Sequence, residues 1–407
     1  MDRKRQFMAG LTKKNENSCA FATWIGFSFM LVFIAIAPSV LATDNLKVAP
    51  VQAFSSSSKH SASQLVNSQM IKIVDGVGRH VEVPYPLRRI VAANGTYGPE
   101  MLCSLGASDR IVAVADHAKL GTLHLASFLE QVPGVGRTTA LNAEKVVEVN
   151  PQVVLLYENF YPYPEAFMDV LNLAGIKMVV MDFHRPEVFD ARIRLMGRLL
   201  DRQERAESLI VFENRHLDLI QQRIAHMPVK KRPRVYLESY RPFQVVTPRN
   251  PDHALLKTCG GINIFNDLTT PASSVAIAAA ETIIERNPDI IIKHISTDIV
   301  PGAGYGARDA GALEKVRALV MKRPGWEKIS AVKTGKVYVI DTGAKATHPS
   351  VYCAYLAKWL HPEVFKDVDP TVVYRQWMET FLGIPFKGVY AYPEEPVGST
   401  PTRGKGV

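Results

Sequence analysis

Cysteine is scarce: the chain has four, Cys19, Cys103, Cys259 and Cys353, in 407 residues. Cys103, Cys259 and Cys353 are widely spaced and, with Cys19 set aside, odd in number. That spacing suggests neither a disulfide framework nor a zinc site, and they read as small buried apolar residues. No H-E-x-x-H, G-x-S-x-G or P-loop pattern occurs, which removes the usual signatures of metalloproteases, serine hydrolases and NTPases. The glycine cluster Gly302-Ala-Gly-Tyr-Gly-Ala reads G-x-G-x-G, and no suitable acidic residue stands about 20 positions later, as a dinucleotide fold requires. A dense basic run is missing too, so the formal charge of +9 does not point to nucleic acid. Five Lys/Arg and two Asp/Glu lie in the first 42 residues, which leaves about +6 on the rest, a mild excess compatible with an anionic ligand or a membrane surface.

What is present begins at the N-terminus. Arg3, Lys4, Arg5, Lys13 and Lys14 precede an apolar run from Phe21 to Val40, and Val40-Leu41-Ala42 places small residues at −3 and −1. This is the layout of a secretory signal (residues 1–42) cut after Ala42. The run is also long enough to be an uncleaved membrane anchor. Cys19 is no lipidation site, because the residues before it, Asn15 to Ser18, are polar. Residues 43–70, rich in Ser, Ala and Gln, read as a flexible tether.

From Ile71 onward, strands and helices alternate. Ile71–Val74 and His80–Val83 flank an Asp75-Gly76 turn. Further strands are expected at Arg89–Ala93, Arg110–Ala115, Val153–Tyr157 and Lys177–Met181, with helices at Pro99–Leu105, Ala143–Val149 and Tyr163–Ala174. Such alternation means a parallel sheet with helices on both faces. Gln203–His226 then reads as one helix, with Ala206, Ile210, Leu217, Ile220 and Ile224 on a stripe and Asp201 positioned to pair with Arg205. At 1.5 Å per residue it spans about 36 Å, enough to cross a domain. Pro228 and Pro233 stop it, and a second alternating set begins at Arg234.

The second set echoes the first. Glu144-Lys-Val-Val-Glu-Val-Asn-Pro-Gln-Val-Val-Leu-Leu matches Glu281-Thr-Ile-Ile-Glu-Arg-Asn-Pro-Asp-Ile-Ile-Ile-Lys in register, and Leu102-Cys-Ser-Leu-Gly106 loosely echoes Leu256-Lys-Thr-Cys-Gly260. The expected fold is therefore α/β, with two lobes of mainly parallel sheets flanked by helices and joined by one long interlobe helix. The N-terminal lobe covers 71–202, the linking helix 203–227 and the C-terminal lobe 228–393, followed by a disordered tail at 394–407.

With these segments in hand, the chain resembles the helix-linked (class III) periplasmic substrate-binding proteins that serve ABC importers of ferric siderophores, haem and cobalamin. The resemblance rests on Asp75 to Pro84, Arg89-Ile-Val, Leu105 to Val114, Gly260-Gly-Ile-Asn-Ile-Phe-Asn-Asp267 and Ile329 to Val339, and extends from Ile73 to the Gly383 region. It implies a periplasmic protein, soluble if cleaved, that delivers a chelate to a permease and its ATPase, with no covalently bound cofactor and no catalysis. Within the family one surface glutamate per lobe docks on the permease, and Glu144 and Glu281 occupy the matching places. A first-turn carboxylate is stabilised by the helix dipole, and can also be no more than a favourable helix residue.

Ligands of open α/β sheets bind beyond the carboxyl ends of the strands. Residues just after the predicted strands are Asn94, Tyr97, His117, Arg137, Tyr157, Tyr161 and His184 in the first lobe. In the second they are Tyr240, Arg241, His294, Tyr305 and Arg308. Of these, Tyr97, Arg137, Tyr157, Tyr240 and Arg308 are the expected ligand-binding residues, with no metal ligands and no catalytic residues. The glycine cluster is expected to be a mobile cleft loop carrying Tyr305 and Arg308. His216, His226 and His253 read as solvated or hydrogen-bonded histidines. Aromatic and cationic linings suit a partly apolar, acidic iron chelate, a ferric siderophore first and cobalamin second, while haem and a small oxyanion also fit such a cleft; Tyr or His is also a suitable axial ligand for haem iron. Two other classes stay open, an exported metal-chelate enzyme on the same scaffold and a membrane-anchored receptor or storage protein.

Overall fold

An antiparallel ribbon opens the folded region, β1 (Gln69–Val74) against β2 (His80–Tyr85), in register from Gln69↔Tyr85 to Val74↔His80. The computed structural model describes residues 69–121, 123–268, 274–345 and 347–398, all within one compact unit that starts at Leu65. The secretory signal and nearly all of the expected tether fall outside the described residues. Asp75 closes the ribbon: its carboxylate accepts from the backbone of Val77 and Arg79 and pairs with the Arg79 guanidinium at 2.7 Å.

The N-terminal lobe continues with β3 (Ile90–Ala92), α1 (Tyr97–Ser104), β4 (Ile111–Val114) and the short helices α2 (Ala118–Gly121) and α3 (Ala126–Leu129). A small hairpin, β5 (Gly136–Arg137) and β6 (Ala140–Leu141), leads to α4 (Ala143–Glu148), β7 (Val153–Leu156), α5 (Glu165–Leu173), β8 (Lys177–Val180) and α6 (Phe189–Leu200). The sheet order is β4-β3-β7-β8, every pair parallel. Ile90–Ala92 and Val153–Leu156 are buried at every position, which is why they read as unbroken apolar runs rather than alternating ones.

Helix α6 ends at Asp201, which takes a left-handed conformation (φ 55), and α7 (Gln203–Ile224) follows at once. A Cβ at Gly197 would lie 2.5 Å from the Ala206 Cβ, so glycine is what lets α6 and α7 pack this closely. Arg205 does not pair with Asp201. Its guanidinium donates instead to the carbonyls of Ser104, Thr380 and Phe381, which tie α7 to both lobes.

The C-terminal lobe comprises β9 (Arg234–Glu238), β10 (Gln244–Val246), α8 (Pro251–Thr258), β11 (Ile262–Asn263), β12 (Val275–Ile277) and α9 (Ala280–Arg286). Beyond these come β13 (Ile290–Ile295), α10 (Gly311–Met321), α11 (Ser330–Lys333), β14 (Val337–Asp341), α12 (Pro349–Leu360), α13 (Pro370–Trp377) and β15 (Ala391–Tyr392). Its sheet runs β12-β10-β9-β13-β14-β15, with β11 also on β9. The centre β9, β13, β14 is parallel, whereas β10, β12 and β15 add antiparallel edges. The two sequence echoes have the same backbone: Asn150 after α4 (φ 46) and Asn287 after α9 (φ 39) both turn left-handed before their proline and enter a buried strand. Asparagine tolerates that conformation better than most residues.

The end of the chain differs from expectation. Residues 394–398 are docked, not loose: Trp359 Nε1 donates to Glu394 O at 3.2 Å, Lys358 pairs with Glu395 at 2.9 Å, and Val397 N donates to the Tyr338 hydroxyl. A buried indole N–H needs an acceptor, and this segment supplies it. Among the described residues no helix is long and apolar enough to cross a membrane.

Candidate functional site

The carboxyl ends of β3, β4 and β7 and those of β9, β13 and β14 border one cavity of ≈ 360 Å³. After β3 come Gly95, Thr96 and Tyr97; after β4, His117; after β7, Tyr157 and Phe160; and the β5–β6 hairpin contributes Arg137, Thr138 and Thr139. The second lobe supplies Tyr240 after β9, Ser296, Asp298 and Ile299 after β13, and Thr342 after β14. Both lobes thus aim the strand ends at the same space, where open α/β sheets bind ligands.

One wall is aromatic. The Tyr97 and His184 rings stack at 4.3 Å and 16°, Tyr97 and Tyr157 at 5.9 Å and 9°, and Phe160 tilts against Tyr157 at 5.3 Å. Burial pushes the His184 imidazole down to about 3, so it is a neutral ring beneath the two tyrosines. Burial also raises both tyrosine hydroxyls, which stay protonated and able to donate. The three rings lie nearly parallel, within 21° of one another, with Tyr97 and Tyr157 in the cavity lining.

The rest of the lining is polar. Arg137 is exposed on the hairpin and has no ion-pair partner among the described residues. His117, held near Thr138 Oγ1 at 3.4 Å, is shifted down by burial, with Asp298 acting in the other direction. Asp298 accepts from the Ser296 hydroxyl. Tyr240 and Thr342 meet through their hydroxyls at 3.1 Å, and Lys293 Nζ donates to the Tyr240 carbonyl at 2.9 Å, which fixes that turn. Lys293 is itself held by Glu238 (3.1 Å), the carboxylate that also takes both arms of Arg323.

Behind the second-lobe lining lies a charged cluster. Lys345 and Asp252 form a buried pair at 2.7 Å, His294 Nδ1 stands 3.4 Å from the same carboxylate, and His294 Nε2 meets the Tyr352 hydroxyl at 2.7 Å. Burial opposes the Lys345 charge, but the Asp252 carboxylate beside it outweighs burial and holds the ammonium protonated. His294 is driven down to about 3, chiefly by burial, and is neutral.

Four of the five expected ligand-binding residues, Tyr97, Arg137, Tyr157 and Tyr240, are therefore brought together around the cavity, and His117 joins them; His184, outside the lining, stacks on Tyr97. Arg308 is not: it is exposed and does not belong to the lining. Its loop turns back through left-handed Gly302, Gly304 and Gly306, and Gly304 is bridged to Val389 by two backbone hydrogen bonds, so the segment is pinned rather than a free cleft loop. Tyr305 from that loop packs between His124 (6.3 Å) and Lys387 (4.6 Å). Asn94 is buried and donates to the Met181 carbonyl, Tyr161 lies under Arg79, and Arg241 is an exposed turn residue. Thr96, Thr138, Thr139, Ser296, Asp298, Ile299 and Thr342 also line the cavity without being aromatic or cationic, and Phe160 reaches it from the turn Glu158–Phe160 rather than from the strand end itself. Applied to hydroxyls and acids, the same positional rule reaches Ser296, Asp298 and Thr342.

Glu144 and Glu281 are both exposed, each in the first turn of its helix. Each helix runs into a parallel strand and so lies antiparallel to it, which puts both N-termini at the carboxyl edges of the sheets. Asn142 caps α4 by accepting from Lys145 N at 2.9 Å. Among the described residues no group of three His, Cys, Asp or Glu is placed to hold a bare metal ion.

Residues 90–344 match the family model described as periplasmic binding protein. The molybdate-binding protein MolA of Haemophilus influenzae is 23% identical over 359 residues, 77% of this chain and 92% of that protein. The high-affinity heme uptake system protein IsdE of Staphylococcus aureus (strain bovine RF122 / ET3-1) is 26% identical, covering 52% of this chain and 67% of its own. Among solved structures, the TroA-like periplasmic binding protein FepB from Veillonella parvula superposes with a TM-score of 0.63 at 24% identity, over 79% of this chain and 99% of that one.

Proposed function

The chain belongs to the periplasmic binding protein family, in its helix-linked class, and from that premise we propose that it captures an iron chelate in the interlobe cavity and hands it to an ABC permease, acting as a carrier and not as a catalyst. The observation that carries the ligand reading is an aromatic set, Tyr97 stacked on His184 and parallel to Tyr157, beside the same cavity as the Arg137 guanidinium, which has no ion-pair partner among the described residues. A planar organic ligand frame stacks on the rings while its acidic oxygens take charge-assisted bonds from the guanidinium and bonds from the tyrosine and threonine hydroxyls. A ferric siderophore with acidic or catecholate arms meets these terms.

Haem is the second reading, favoured by one observation: burial keeps His117 in the cavity lining a neutral imidazole, the form that binds iron. Absorbance of the purified protein, followed by calorimetric titration with a catecholate ferric siderophore, haem and cobalamin, separates the cases. Saturable one-to-one binding of the ferric siderophore with no Soret band supports the first reading; a Soret band and tight haem binding overturn it. Cobalamin declares itself by its red chromophore.

Delivery rests on Glu144 and Glu281. Two exposed carboxylates, one per lobe, both at the cavity edge of their sheets, form a two-point contact for basic pockets on a permease.

A further inference from the structure

Cys259, at the C-cap of one helix, and Cys353, on another, each bring the thiol against the backbone of the other's turn. Cys259 caps α8, and its Sγ is 3.6 Å from the Cys353 carbonyl on α12. The Cys353 Sγ in turn is 4.0 Å from the Leu255 carbonyl, the same oxygen that receives the Cys259 backbone N–H at 3.0 Å. Each thiol therefore reaches the backbone turn that carries the other, and neither residue is exposed to solvent. A cysteine acting only as a small apolar filler needs no such reciprocal approach. Cys103, the remaining buried thiol, sits on α1 in the other lobe.

We propose that Cys259 and Cys353 close a disulfide when the folding chain meets a disulfide oxidant, as an exported protein does. The thiolate of one cysteine attacks the oxidant R–S–S–R, forming a mixed disulfide and releasing one R–SH. The thiolate of the second then attacks the protein sulfur of that mixed disulfide, making the S–S bond and expelling a second R–SH. Two electrons pass to the oxidant and the two thiol protons leave on the released thiols. Burial raises the Cys259 thiol in the finished fold, so exchange proceeds while α8 and α12 are still docking.

The link would join two helices that support the cavity from behind. Helix α8 carries Asp252, the partner of Lys345, and α12 carries Tyr352, the partner of His294. The loop it closes is long, since the cysteines stand 94 positions apart, and long loops restrict the unfolded chain most.

The test needs no transporter and no ligand, so it stands apart from the carrier reading. Full-length protein carrying Cys19→Ser and Cys103→Ser is unfolded, refolded in a mixture of oxidised and reduced glutathione, quenched in acid, alkylated in denaturant and digested without reduction. Refolding removes any barrier that burial sets against the oxidant. The expected result is a linked Cys259–Cys353 peptide, 2 Da lighter than its two free parts together. Its formation should raise the melting temperature by roughly 5 °C or more, a gain abolished by reductant and absent from Cys353→Ser. Recovery of both cysteines alkylated or glutathionylated, with no linked peptide, overturns the proposal. So does an equally abundant link to Cys103 when that residue is left in place.

Discussion

Glu100 and Thr347, 247 positions apart, are joined twice: one oxygen of the fully buried carboxylate accepts the Thr347 backbone N–H at 3.0 Å and its hydroxyl at 2.8 Å. The other oxygen meets His124 Nε2 at 2.7 Å. An N-lobe helix thus holds the entry to α12 of the second lobe. Burial alone would favour the acid form, but His348, His124 and Thr347 outweigh it and keep Glu100 ionised. Removing that charge leaves His124 and both Thr347 donors, its backbone N–H and its hydroxyl, buried without their acceptor. Glu100→Ala is expected to lower the unfolding free energy by about 3 kcal/mol, read from urea denaturation.

Arg137 and Arg308 make a matched pair of controls. Arg137 faces the cavity and Arg308 does not. Arg137→Ala should weaken binding of an acidic ferric siderophore by roughly 10- to 100-fold, the scale of one charged hydrogen bond. Arg308→Ala should leave affinity within about twofold by the same scale. Equal losses in a titration of both variants would move the ligand out of this cavity.

Tyr97 tests the aromatic wall. Tyr97→Ala removes the ring stacked on His184 and should cost about tenfold in affinity for a planar chelate, whereas Tyr97→Phe keeps the stack and should lose less. Calorimetry on both variants separates stacking from the hydroxyl's hydrogen bond.

The docking glutamates should affect uptake alone. Glu144→Ala combined with Glu281→Ala is expected to abolish ligand import by cells while leaving affinity of the purified protein within about threefold, because both side chains are exposed and outside the lining. Loss of affinity would contradict the docking role.

Glu213, fully buried midway along α7, gives a pH signature. It accepts from Ser350 N at 2.8 Å, yet burial pushes its carboxyl up to about 8 from the ordinary glutamate value of about 4.5. Between those values the folded protein holds a proton that the unfolded chain has released. Stability from this group is thus complete below 4.5 and is lost as pH rises through 8. Glu213→Gln should remove that decline: the melting temperature of the variant relative to the parent should climb from pH 5 to pH 8, by an amount equivalent to about 1–4 kcal/mol. A flat difference would show that the carboxyl is ionised in the folded state.

Strand and helix positions were legible because their causes are local. Apolar runs such as Val153–Leu156 and Ile290–Ile292, each preceded by Asn-Pro, announce buried parallel strands wherever they fall. Knowing the strands, the positional rule for α/β sheets was enough to find Tyr97, Tyr157 and Tyr240. The rule failed for Arg308, whose three left-handed glycines turn its loop toward Val389. It was also blind to Lys345 and Asp252, since nothing local relates two residues 93 positions apart. The docked segment at Glu394 and Glu395 escaped for a similar reason: its composition reads as loose chain, and only the tertiary positions of Trp359 and Lys358 give it partners.

Helix α7 has a consequence for anyone building a sensor on this scaffold. A 22-residue rod, clamped by Arg205 at one end and buried along one stripe, bends far less than a pair of crossing strands would. Fluorophores placed on opposite lobes would therefore report occupancy weakly through distance. A single dye beside Tyr97 or Tyr157, quenched or released as the guest covers the rings, is the better optical readout.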